Sequence, residues 1–449
     1  KAPCVGLVEP EEYAADVRDE DIFPAQTLSI SEPWQSAGKT YVADVKAYHR
    51  RMDAGETCDE VGADPRIEDA ATVLQLARRV NEHSDAALAQ RFRARFAFAP
   101  DALISIAQEH GQFIGPLFSL DDGRVIVRIG PAYEETAQWM IVADVSFETL
   151  PQVSGVGRSM NRRVWAICEG EYIVTRDGFS GPQIARFELP TGVEGLPESL
   201  GLESTDYARR CNEMIPFNDG KRVLLRNATG VYLLTPEGVR RIHPQEFDED
   251  GPYTWPKNQF DNGLALDMLH MALSPDERFI ALGDQDSRHI LLKGDGRVLK
   301  EFEPLSDYPH CAVFSPDSSK VAFNSCHLYS GATLLASTQD DSEPTTLDNG
   351  SRVYAAVATK DAFIVGSAEG YLDALGAPDN ILWRHHVGSS MSGIEISADE
   401  RVIWAASYGG YLVRLERLGH DDPFSIGHSP YSETARWVFW QNERHPLRW

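Results

Sequence analysis

A chain of 449 residues with 68 acidic against 42 basic side chains has a formal net charge of −26, which repels phosphate backbones at long range and sets nucleic-acid binding aside. Hydrophobic content of 42% and nine tryptophans exclude a disordered chain. The six cysteines (Cys4, Cys58, Cys168, Cys211, Cys311 and Cys326) are too scattered for a disulfide scaffold, and no apolar run approaches the length that spans a bilayer.

Residues 1–65 are irregular in pattern, with one strand-like run, Thr40 to Val45 (TYVADV). From Pro65 the periodicity is helical. Val73, Leu76, Ala77 and Val80 recur at helix spacing within Glu68–His83, leaving Arg78 and Arg79 outside the stripe. Ser84 is placed to cap a second helix carrying Ala87, Leu88, Phe92 and Phe96, and Pro100 opens a third that ends at Gly111. Residues 1–111 are thus expected to form an irregular and helical N-terminal segment packed on whatever follows.

Beyond Gly111 strand signals replace helical ones almost to the C-terminus. The first unit has Phe113–Ser119, Arg124–Ile129 and Trp139–Val145. A second has Arg163–Cys168, Glu171–Thr175 and Gln183–Leu189. In a third, Asn218-Asp-Gly220 lies between Met214–Phe217 and Arg222–Arg226, and Val231–Leu234 follows. Then one phrase recurs: MALSPDERFIAL at 271–282, AVFSPDSSKVAF at 312–323, a looser AAVATKDAFIVGS at 355–367, and IEISADERVIWAA at 394–406. Leu273, Phe314, Val357 and Ile396 hold matching places, 41, 43 and 39 residues apart. A repeat of that length built from short strands is the signature of a propeller-type array.

Turn chemistry explains the recurrence. Pro275 and Pro316 fix φ at the second position of a type I turn, and the flanking Ser and Asp can bond the turn backbone. A second signal precedes the third strand: Gly230-Val-Tyr-Leu, Gly370-Tyr-Leu and Gly410-Tyr-Leu, where a tight hairpin needs φ > 0. Through Leu273-Ser-Pro-Asp276, Phe314-Ser-Pro-Asp317 and Ile396-Ser-Ala-Asp399, residues 112–417 resemble the WD40-like and YVTN-like β-propeller superfamily. No unit ends its third strand in Trp-Asp, and Thr229, Glu369 and Gly409 stand where WD40 blades carry a structural Asp. The resemblance implies a generic propeller and a fold rather than an activity. The expectation is an all-β, seven-bladed β-propeller over 112–449, with six or eight blades as alternatives. Either 40–45 or 435–441 would complete the last sheet.

Long insertions fall at 190–211 and 243–267, each between the outermost strand of one unit and the innermost of the next. In a propeller such connections share one face. The second insertion combines Tyr253, Trp255 and Phe260 with Asp248, Glu249 and Asp250, rigid rings beside carboxylates, as at protein interfaces. Glu213, His270, His310, Tyr354 and Ser392 lie at or near the start of successive inner strands and would ring the mouth of the central channel. His310, Cys311, Cys326 and His327 supply metal-ligand types on adjacent strands, although consecutive strand residues point to opposite faces. A Cys311–Cys326 disulfide is the competing use of that pair. Gly178-Phe-Ser-Gly-Pro182 lacks the Gly-x-Ser-x-Gly nucleophile elbow, and no phosphate-binding loop is present.

The expected function is a non-catalytic protein-interaction scaffold. It would hold a basic protein partner on the insertion-bearing face, in a neutralising or chaperoning role, with no catalytic residues and no cofactor. The alternative is an enzyme, or a small-ligand or metal binder, at the channel mouth. With no signal peptide visible, a cytoplasmic location is expected, or a periplasmic one if a leader has been removed.

Overall fold

The structure, a computed structural model, describes Phe23 and residues 29–449 other than 132, 133, 135, 199, 200, 202, 246–263, 329, 379, 420 and 421. Seven sheets follow one another along the chain, each of four antiparallel strands in sequence order and the last extended by a fifth. Blade 1 is β1 (Ile114–Ser119), β2 (Val125–Ile129), β3 (Gln138–Ala143) and β4 (Ser146–Leu150); blade 2 is β5 (Val153–Arg158), β6 (Val164–Glu169), β7 (Tyr172–Asp177) and β8 (Gln183–Glu188). Blade 3 is β9 (Glu213–Pro216), β10 (Val223–Asn227), β11 (Gly230–Thr235) and β12 (Gly238–His243); blade 4 is β13 (His270–Leu273), β14 (Phe279–Gly283), β15 (His289–Lys293) and β16 (Val298–Phe302). Blade 5 is β17 (Tyr308–Phe314), β18 (Lys320–Cys326), β19 (Gly331–Ser337) and β20 (Thr345–Asn349); blade 6 is β21 (Val353–Ala358), β22 (Phe363–Ser367), β23 (Tyr371–Ala377) and β24 (Asn380–His386). Blade 7 adds β25 (Met391–Ile396), β26 (Val402–Ser407), β27 (Tyr411–Arg417), β28 (Tyr431–Val438) and β29 (Leu447–Arg448).

Burial follows position in the blade. The second strands β2 and β22 are buried along their whole length because neighbouring blades cover both faces, which is why they read as continuous apolar runs. The outer strands β4 and β16 stay largely in solvent. Inner strands lie beside one another from blade to blade, and β25 meets β1, so the ring is closed.

The Ser-Pro-Asp turns do what their chemistry predicts. Ser274 donates to the Asp276 carboxylate (2.7 Å) and its hydroxyl accepts the Phe279 N–H (3.0 Å), while Glu277 takes the left-handed φ of 62°. Ser315/Asp317 and Ser397/Asp399 repeat these bonds. Blade 2 holds a fourth copy that the sequence pattern did not expose. Ser159 donates to Asn161 (2.7 Å) and accepts from Val164 N–H (2.9 Å), with Arg162 at φ 66°. That blade's inner strand is therefore 153–158, and 163–168, read above as its first strand, belongs to the second. Gly155 and Gly157 weaken the strand signal there, but a Cβ on Gly157 would sit 2.0 Å from the Met214 carbonyl oxygen of the next inner strand.

The N-terminal segment forms α1 (Ser31–Asp53), α2 (Ala70–Glu82), α3 (Ala86–Arg95) and α4 (Ile104–His110). Two local expectations are corrected here. The run 40–45 is helix, because buried Trp34, Gly38, Val42 and Val45 form a stripe that overrides the β-branched composition. The last sheet is instead completed by β28, which contains 435–438. The cap of α3 is Asp85, accepting from Ala87 (2.8 Å) and Leu88 (3.1 Å) N–H groups, rather than Ser84. Among the described residues, no helix is long and apolar enough to cross a membrane.

Blade 7 is thus made of consecutive strands, and no strand is shared with blade 1, so side chains hold the ring seam. Glu395 on β25 accepts the Ser119 N–H (2.5 Å) and hydroxyl (2.6 Å) from β1, and the Arg158 guanidinium (2.5 Å) from β5. One buried carboxylate joins three blades. At the outer rim, Trp437 donates to the Asp144 carbonyl and Arg448 to its carboxylate (2.7 Å). Glu395→Ala is expected to cost about 3–5 kcal/mol by leaving Arg158 buried and unpaired. Urea unfolding checks this, and a loss below about 1 kcal/mol would show that the seam is held elsewhere.

Candidate functional site

Inner strands begin, and the loops between second and third strands turn, on the face where both long insertions open. The first insertion is fastened to blade 3. Arg241 donates to the carbonyls of Gly192 (2.6 Å) and Glu194 (2.9 Å), and Asn227 donates to that of Ala208 (2.6 Å). The second is anchored at its C-terminal base by Leu266 and Leu269, both buried in the core between blades 3 and 4. Tyr253, Trp255, Phe260, Asp248, Glu249 and Asp250 lie outside the described residues. Four large apolar side chains stand exposed on this face: Met268 (54%), Leu305 (46%), Leu328 (65%) and Tyr408 (49%). Each sits on a blade-to-blade connection or a second-to-third-strand loop, so all share this face.

The predicted channel-mouth residues come together in part. Glu213 pairs with Arg226 (3.0 Å), whose guanidinium also bonds the Leu269 carbonyl next to His270. The His270 ring is 6.2 Å from that of His289, and His310 is 4.8 Å from Tyr354, which is 5.9 Å from Tyr408. Tyr408 in turn meets Phe113 at 4.8 Å. His310 Nδ1 is engaged by the Val353 carbonyl (2.8 Å), and Ser392 is spent on the Ile114 carbonyl at the seam. By contrast, both ring nitrogens of His289 have no hydrogen-bond partner among the described residues, and His270, buried like it, is met only by the Met268 backbone.

Sequence reasoning missed Phe113, Arg128, Arg226, His289 and Tyr408. A signal existed for the two arginines: each follows a run of three apolar residues in a second strand, VIVRI and VLLRN, near its channel-mouth end. Burial depresses His289 to about 3, and burial with His289 and His310 nearby holds His270 well below the ordinary imidazole value. Burial also lowers His310, and it lowers Arg128, beside Arg226, to about 10. Neutral imidazoles can each donate and accept one hydrogen bond. A buried ring nitrogen left unbonded costs roughly 1–3 kcal/mol.

The proposed metal set is dispersed. The thiols of Cys311 and Cys326 are both free, His310 is held by the Val353 carbonyl, and His327 pairs with Asp307 (3.2 Å) outside the channel. Among the described residues no three His, Cys, Asp or Glu side chains converge as a metal would require. Burial, with Glu213 and Cys326 nearby, pushes the Cys311 thiol up to about 12, so it is a packed, protonated group. Neither a scan against protein-family models nor a search of curated proteins finds a match to this chain.

These buried histidines predict a pH effect of definite sign. The fold holds them neutral, so the unfolded chain takes up the extra protons as pH falls. Their contribution is complete above about pH 6.5 and is lost as pH falls from there toward about 3. Calorimetry should show Tm falling between pH 7 and pH 5, with a shallower slope in His289→Phe. An unchanged slope in that variant would remove His289 from the account.

Proposed function

We propose that this propeller is a non-catalytic interaction scaffold that holds a basic protein partner on its insertion-bearing face, in a neutralising or chaperoning role. The observation that carries this reading is the opening of two long insertions on one face of an acidic chain, the face on which Met268, Leu305, Leu328 and Tyr408 are also exposed. Exposed apolar side chains beside polar ones are the raw material of interaction surfaces. A surplus of 26 negative charges speeds encounter with a basic partner. A closed ring of sheets is a rigid platform, so little ordering is needed when the partner docks. The aromatic and acidic residues of 248–260 and the four exposed side chains would each contribute contacts to the partner.

Two double variants test this reading: Tyr253→Ala with Trp255→Ala, and Met268→Ser with Leu328→Ser. Each is expected to weaken capture of the native partner at least about tenfold, as loss of hot-spot contacts does, with Tm changed by no more than a few degrees. Association should slow as salt rises. Retained capture in both variants would take this face out of consideration.

A second reading rests on the neutral imidazoles of His270 and His289 at the channel mouth, whose donors and acceptors would serve a small polar ligand there. Elemental analysis of purified protein and a thermal-shift screen of metabolites separate the two. Stoichiometric metal, or a shift that disappears in His270→Leu, supports the channel site and counts against a pure scaffold.

A further inference from the structure

Two cysteines from neighbouring blades meet in the core between blades 2 and 3. Cys168 lies near the C-terminal end of β6, and Cys211 ends the first insertion, two residues before β9. They are 43 residues apart in the chain and share one apolar cluster with Ile173, Met214, Val223 and Leu225. Both are buried free thiols.

The glycine opposite makes the meeting possible. Gly155 on β5 is the register partner of Cys168, and a Cβ on it would sit 2.7 Å from the Cys211 Cβ and 3.2 Å from the Cys168 Cβ. Cys211 therefore fills the space a side chain at 155 would need, and the two cysteine Cβ atoms flank a single point. That is within the few ångströms over which a disulfide is built. The thiols also meet. Cys211 donates to the Cys168 sulfur, which draws Cys168 below the ordinary thiol value and, together with burial, holds Cys211 well above it. Cys311 and Cys326 are placed differently: the register of β17 and β18 sets Cys311 opposite Asn324 and Cys326 opposite Tyr308.

We propose that Cys168 and Cys211 close as a disulfide when the chain folds in the presence of an external disulfide, fastening the end of the first insertion to blade 2. The Cys168 thiolate, the more acidic of the two, attacks one sulfur of the external disulfide and releases its first thiol. The Cys211 sulfur then attacks the Cys168 sulfur and releases the second. The two cysteine protons leave on the released thiols, so the pair is oxidised by two electrons and the external disulfide is reduced by two. Because both sulfurs are enclosed once the blades have docked, the exchange takes place as blade 3 folds onto blade 2. The insertion is bonded through Arg241 and Asn227 to blade 3. The new bond would tie it across the boundary to blade 2, and the loop it closes would restrict the unfolded chain.

The test starts from the full chain, reduced and unfolded, and refolds it either with a mixture of oxidised and reduced glutathione or with reduced glutathione alone. Non-reducing peptide mapping by mass spectrometry is expected to find the Cys168 and Cys211 peptides joined in the first sample and separate in the second. The joined form should melt about 2–5 °C higher, and that difference should vanish in Cys211→Ala. Cys58→Ser, which leaves the pair intact, should keep it. The proposal is overturned if the two peptides are not joined, if either cysteine is found mainly in another pair, or if the joined form melts no higher than the reduced one.

Discussion

A propeller built of consecutive strands has to join its last blade to its first without a shared strand, and here one carboxylate does most of that. Glu395 is buried and receives the backbone and hydroxyl of Ser119 and the guanidinium of Arg158. Arg158 closes the circuit by donating to the Ser119 carbonyl (2.7 Å). A buried ion pair of this type gains little over a well-packed apolar substitute, because desolvation cancels most of the attraction. What it does fix is relative position, since three inner strands must be in place before its bonds are made. The apolar contact of Trp404 and Trp437, stacked at 5.5 Å within blade 7, then packs against blade 1 to give the seam its area.

The same constraint gives the helical segment its role. The outer strand of blade 7 is followed by the two-residue β29 and an exposed sheet edge would begin there. Helices α2 and α3 cover it. Trp449 is buried between Phe92 and Phe98, each at 5.0 Å, and donates to the Phe96 carbonyl (2.8 Å). Beside it, burial alone would push the Glu433 carboxyl up, but Arg436 and Arg93 outweigh this and bring it down to about 2. Helices and blades 6 and 7 share one apolar core cluster, so the segment is part of the folded body and not an appended arm.

Architecture was legible in the sequence because turn chemistry repeats at fixed places. Ser-Pro-Asp at 274–276 and 315–317 and Ser-Ala-Asp at 397–399 each announced a blade, and Gly370 and Gly410 marked the next hairpin with φ of 84° and 80°. Blade 2 was misread because Ser159-Met-Asn161 makes the same bonds with different letters, and because the glycines of 153–158 are demanded by the neighbouring strand rather than by the strand itself. Thr40–Val45 failed for the opposite reason: a tertiary stripe overrode local composition. At the inner ring, strand starts could be read from the repeat, and His270 and Tyr354 do lie at the starts of β13 and β21. His289 and Tyr408 enter from a different strand and a loop, so only the folded register brings them to the rim.

The buried polar groups therefore divide into two kinds, and the division is informative. Glu395, Glu433 and Arg241 have their bonds completed by named partners, and each holds one part of the chain to another. His270, His289 and Arg66 Nη1 are equally buried and have bonds left unmade. Fold stability alone favours replacing such groups with apolar ones, since an orphaned donor or acceptor costs free energy and returns none. The first kind lies at the seam, at the edge of blade 7 and at the foot of the first insertion. The second is spread through the fold: Trp139 Nε1 in blade 1 and Tyr411 Oη and Ser432 Oγ in blade 7 are likewise buried with no partner among the described residues. Each is closed off by its neighbours, so its unmade bond is a local loss of stability that an apolar side chain of similar volume would remove.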